Sequence, residues 1–136
     1  MRTVFVLVTD KEYFGRAKKT LIDLRTRGQW EGDVVMIPIG FRLNKNFRDF
    51  YRITEVIFPP IENKEALLNL LSHRPFPDTI DGREINKINQ WEKLHVFDPY
   101  FSKWERVAYL DAGMRVCGSV HDSILALNCT SAILSP

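Results

Sequence analysis

The chain has 136 residues, enough for one domain with a real core and too few for two. With 45% hydrophobic and 26% charged residues it has the makeup of a folded globular protein, which argues against an intrinsically disordered chain. A formal charge of +2, with no long block of like charges, excludes the strong electrostatics by which nucleic acids or anionic membranes are held.

The first element expected is a strand over Val4 to Val8, a continuous β-branched apolar run of the sort buried on both faces of a parallel sheet. The run is too short for a signal peptide core or a membrane span and leads straight into a charged segment. A cytoplasmic protein with free thiols at Cys117 and Cys129 is therefore expected. A helix over residues 11 to 27 follows, with Tyr13, Ala17, Leu21 and Leu24 at helical spacing and Gly28 as its stop. Thr9 and Glu12 have the spacing of a capping box at its start. The run from Asp33 to Gly40 predicts a second buried strand, completing a βαβ unit.

A third strand is expected over Ile53 to Phe58, closed by Pro59-Pro60, then a helix over 62 to 72 and an exposed loop from Ser72 to Arg83. From Glu84 to Phe97 the apolar residues Ile85, Ile88, Trp91 and Leu94 predict an α-helix with His95 packed in its stripe and Lys93 nearly opposite. A further strand over Arg106 to Leu110 ends at Asp111-Ala112-Gly113. A short helix over 121 to 127 and a last strand from Ser131 to Leu134 complete the pattern. The alternation predicts an α/β fold: a mostly parallel open sheet with helices on both faces.

Ligands of such sheets bind beyond the carboxyl ends of the strands. Two of those ends carry acids, Asp10 and Asp111, and a carboxylate leaving a buried strand needs a partner. Turn formation explains both equally well at this level. No Gly-x-Gly-x-x-Gly or Gly-x-x-x-x-Gly-Lys-Ser/Thr loop follows any strand.

Two blocks narrow the reading. Lys93-Leu94-His95-Val96-Phe97 followed by Phe101 to Gly113, ending Tyr109-Leu110-Asp111-Ala112-Gly113, resembles the central signature of the glycogenin-like family of retaining glycosyltransferases. Thr9-Asp10-Lys11-Glu12-Tyr13 resembles that family's Thr-Asn-x-x-Tyr opening, and the intervening strands extend the likeness over nearly the whole chain. The resemblance implies a Rossmann-like GT-A fold, with residues 1–136 as the amino-terminal, nucleotide-sugar-binding part of a longer catalytic domain. It also implies transfer of a hexose from a UDP-sugar to an acceptor it does not identify.

By the same resemblance Thr9 and Asp10 would hold the uracil base and Tyr13 would stack on or flank it, with a stacking contribution of ~1–3 kcal/mol. Lys93 would meet the donor or its leaving diphosphate. Asp111 would bind a divalent cation, usually manganese, that bridges the diphosphate. The residues themselves leave Tyr13 open to a core role and Lys93 to a solvated one. The chain departs from the family where Gly113 replaces the second acid of Asp-x-Asp. If residues 111 to 115 stay extended, Arg115 lies on the same side as Asp111 and can neutralise diphosphate; a surface ion pair is its other reading. The second departure is length. The family's late metal-binding histidine and acceptor contacts have no counterpart, and His121 follows Asp111 too closely to supply that histidine. No nucleophile can be named, and a non-catalytic nucleotide-binding or protein-interaction relative is the alternative. The apolar end of the chain would leave an open sheet edge, which predicts a covering partner or self-association.

Overall fold

The computed structural model describes residues 2–62, 66, 79–80, 83–84 and 87–126. Strand β1 (Thr3–Asp10) is central, because seven of its residues from Thr3 to Thr9 are buried. Helix α1 (Phe14–Arg25) leads to β2 (Asp33–Ile39), which pairs in parallel with β1 from Val4↔Asp33 to Asp10↔Ile39. Helix α2 (Lys45–Tyr51) precedes the short β3 (Thr54–Glu55), parallel to β2. Strands β4 (Thr79–Ile80) and β5 (Arg83–Glu84) form a small antiparallel pair. Two 3₁₀ helices, Lys87–Phe97 and Pro99–Lys103, lead into β6 (Arg106–Leu110), which returns to pair in parallel with β1. The main sheet runs β3-β2-β1-β6 and is parallel throughout.

Alternation along β1 builds two cores. Phe5 and Leu7 face Ala17, Leu21 and Leu24 of α1, with Trp30 and Met36. Val4, Val6 and Val8 point the other way, onto Val35, Ile37 and Phe101, with Val96, Tyr100 and Trp104 packed alongside. Full burial of each such aliphatic side chain stabilises the fold by roughly 1.5–3 kcal/mol. Helices therefore cover both faces, as the sequence pattern predicts.

Several local expectations are corrected. No capping box forms: the Thr9 hydroxyl donates to the Asp10 carbonyl (2.8 Å), and the Asp10 carboxylate accepts the Tyr13 N–H (2.9 Å). The turn that results occupies residues 11–13, so α1 begins at Phe14. Gly28 is needed for space rather than for its φ. A Cβ there would stand 2.6 Å from the Leu24 carbonyl oxygen, while the positive φ of 55° falls on Gln29.

The segment expected as an α-helix ending at Phe97 is a 3₁₀ helix from Lys87. Its repeat of three turns Glu92 and His95 inward and leaves Leu94 42% and Phe97 66% exposed. His95 packs as expected, stacked on Phe58 with ring centroids 4.7 Å apart and bonded to the buried Glu92 at 2.6 Å. Helix α2 has no clear stripe in the sequence. It starts at an Asn44 cap and closes an aromatic cluster of Phe14, Phe41, Phe47 and Tyr51.

The third strand is shorter than expected, and residues 121–126 form turns rather than a helix. Apart from Glu62 and Ala66, the helix expected over 62 to 72 lies outside the described residues, as does the strand expected from Ser131 to Leu134. The stretch expected as loop contributes Thr79–Ile80 and Arg83 to the β4–β5 pair. Cys117 is free and exposed, whereas Cys129 lies outside the described residues. Among the described residues no helix is long and apolar enough to cross a membrane.

Candidate functional site

Strand order decides where a ligand could sit. From β1 the chain moves outward to β2 and β3, then returns to the other side of β1 with β6. Loops leaving β1 and β6 therefore diverge, and the crevice between them is the switch point at which open α/β sheets bind ligands. Neighbouring strands lie about 4.8 Å apart. The register Leu7↔Leu110 brings Asp111 out of β6 beside the exit of β1, where Thr9 and Asp10 stand. Two sequence blocks far apart in the chain are joined at the carboxyl ends of paired strands.

On the β1 side, Thr9 is buried and its hydroxyl is used locally, so of the pair Asp10 is the more accessible. Tyr13 is half-buried and belongs to neither apolar core. The Arg16 guanidinium lies over its ring, 5.5 Å from the centroid.

On the β6 side, the chain does not stay extended from Asp111 to Arg115 but turns, as the turn-former reading of Asp111 has it. The Met114 N–H donates to the Asp111 carbonyl (3.0 Å), and Gly113 has φ +93°. That third position needs the left-handed region, which glycine enters without strain. Any side chain at 113, a second acid included, would be strained. Thr20 of α1 clamps the turn: its Oγ1 accepts the Gly113 N–H (3.0 Å) and donates to the Met114 carbonyl (2.7 Å). Because the chain turns, Arg115 is carried to α1, where Nε meets Asp23 Oδ2 at 2.5 Å and the far amino group meets Oδ1 at 3.3 Å. The hydrogen bond from Arg115, more than its charge, holds the Asp23 carboxyl below the usual range against the opposing effect of burial. Its ion-pair reading is thus the one the structure shows.

Asp111 itself is exposed and takes the Tyr109 hydroxyl on Oδ1 at 2.7 Å. Among the described residues, Oδ2 carries no hydrogen bond. Burial first, then the Asp111 carboxylate, push the Tyr109 phenol well above its ordinary range, so it stays a donor. Lys93 is exposed on the first 3₁₀ helix, which lies against β1 and β6 on the face opposite α1. It makes no ion pair among the described residues. Around Asp111 the donor set is thin: among the described residues no group of three or more His, Cys, Asp or Glu side chains could hold a metal ion.

Sequence reasoning missed Thr20, Asp23, Tyr109 and Arg16. Thr20 carried a signal, a hydroxyl within the apolar stripe of Ala17, Leu21 and Leu24. Tyr109 carried one too, since residues two apart on a strand share a face. Asp23 and Arg16 carried none. Compared with known proteins, the chain matches no family model and no curated sequence.

Proposed function

We propose that the chain is the nucleotide-sugar-binding part of a GT-A-type glycosyltransferase domain, taking a UDP-sugar at the crevice between β1 and β6 for transfer of a hexose. One observation carries the reading. The parallel pairing of β1 with β6 sets Asp111 beside Thr9 and Asp10, so both blocks of the glycogenin-like resemblance meet at the switch point. Asp10 and Tyr13 border the base position, and Lys93 approaches the donor from the 3₁₀ helix. Asp111 Oδ2 would be the contact to a divalent cation such as manganese, which finds few other donors among the described residues. When bound, that cation would supply Lewis-acid stabilisation of the leaving diphosphate. Arg115 would have to leave Asp23 to reach the diphosphate.

A second reading, a non-catalytic nucleotide-binding relative, is favoured by the turn at Gly113, whose φ of +93° excludes a comfortable second acid. Isothermal titration of UDP and UDP-glucose, with and without manganese, separates the two. Manganese-dependent binding of both ligands supports the transferase reading. Binding indifferent to manganese supports the non-catalytic one, and no binding to folded protein overturns both.

A further inference from the structure

The crevice contains a cation that neither the motif nor the fold class predicts. Arg16 sits on the first turn of α1, half-buried, with its guanidinium over the Tyr13 ring at 5.5 Å. Its stem runs along the turn after β6, for a Cβ placed on Gly113 would stand 3.5 Å from Arg16 Cδ and 3.7 Å from Arg16 Cβ. Arg16 therefore spans the crevice from the β1 exit to the glycine that replaces the second acid.

Its charge also stands apart from that of its neighbours. Arg115 is bound to Asp23, Arg52 to Glu31, and Arg42 and Arg48 to Glu55. Arg25 donates to the carbonyls of Tyr51, Trp30, Gly32 and Arg52. Among the described residues the Arg16 guanidinium has no carboxylate and no hydrogen-bond acceptor. A half-buried guanidinium held against an aromatic ring, with its donors unused, is suited to a planar, bidentate grip on a phosphate.

We propose that Arg16 binds the diphosphate of the nucleotide, supplying from α1 the positive charge that a second acid and its cation supply in an Asp-x-Asp site. The assignment rests on the donor-binding reading above and gives that site its phosphate contact. Gly113 then has two consequences: it permits the turn, and it leaves the space along which the Arg16 stem lies.

The test is calorimetric titration with uridine, UDP and inorganic pyrophosphate, in EDTA, of the wild-type chain and of Arg16→Gln and Arg16→Lys. Thermal melting checks that each variant is folded. Arg16→Gln is expected to weaken UDP and pyrophosphate roughly 10- to 100-fold and to leave uridine unchanged, because only the charge-assisted phosphate bonds are lost. Arg16→Lys, which keeps the charge and loses the fork, is expected to fall between. UDP bound equally by wild type and Arg16→Gln would overturn the assignment and leave the donor site standing. Arg16-dependent pyrophosphate binding without added affinity for UDP would keep Arg16 as a phosphate site and defeat the nucleotide reading. No binding of any probe to folded wild type would defeat both.

Discussion

The two faces of the central strand are covered in different ways. On one, α1 presents Ala17, Leu21 and Leu24 to Phe5, Leu7 and Met36, and its inward polar residues Thr20 and Asp23 reach out to the segment after β6. On the other, a 3₁₀ helix presents a buried carboxylate and a histidine, bonded to each other at 2.6 Å. Polar groups on the α1 face shape the candidate site, whereas those on the 3₁₀ face seat their own element. Glu92 is bonded to His95 and accepts the Ile61 N–H (3.3 Å), pinning the helix to the chain beyond β3. Burial alone therefore says little about whether a polar side chain serves a site; its partner decides.

The largest effect should come from breaking the apolar contact of α1. Leu21→Ala at a fully buried position is expected to lower unfolding free energy by about 2–5 kcal/mol, measured by urea denaturation. Next comes Thr20→Val, which keeps the shape and removes the hydroxyl. Leaving the Gly113 N–H and Met114 carbonyl without their partner should cost about 1–3 kcal/mol and speed hydrogen exchange at the Gly113 amide. Thr20→Ser should restore protection; unchanged exchange in Thr20→Val would show that the turn holds without the clamp.

On the opposite face, His95→Ala should also cost about 1–3 kcal/mol, since it strips Glu92 of a partner. Here the expected difference is in function: UDP affinity should fall in Thr20→Val and hold in His95→Ala. Equal losses would erase the distinction between the faces. The smallest effect is on pH dependence. Asp23 has its folded pKa depressed below 3.8, so its pairing with Arg115 contributes fully above that value and is lost as pH falls through the lower folded pKa. Arg115→Ala should therefore lower stability slightly at neutral pH and flatten the acid limb below about pH 4, the two proteins converging as pH falls.

Part of the site could be read from the residues. Thr9, Asp10 and Asp111 stand at the ends of apolar runs, and strand ends are legible because β-branched runs announce strands. Tyr13 could be placed on the first turn, though not shown to lie outside the core. Asp111–Arg115 could be read as extended or as a turn, and a glycine at positive φ, stabilised from another element, decides for the turn. The stripe drawn through Leu94 failed because a 3₁₀ helix repeats every three residues, and the Glu92–His95 pair and the His95–Phe58 stack follow that repeat.

By itself the sequence determined the buried strands, the amphipathic α1, the apolar core positions of β1 and the acids at the strand ends, because each follows from the order of neighbouring side chains. Tertiary structure alone decided that β6 returns beside β1, that Thr20 holds the turn after it, that Arg115 goes to Asp23, and that Arg16 lies between Tyr13 and Gly113. Those outcomes depend on contacts between residues distant in the chain, whose energies no local pattern contains.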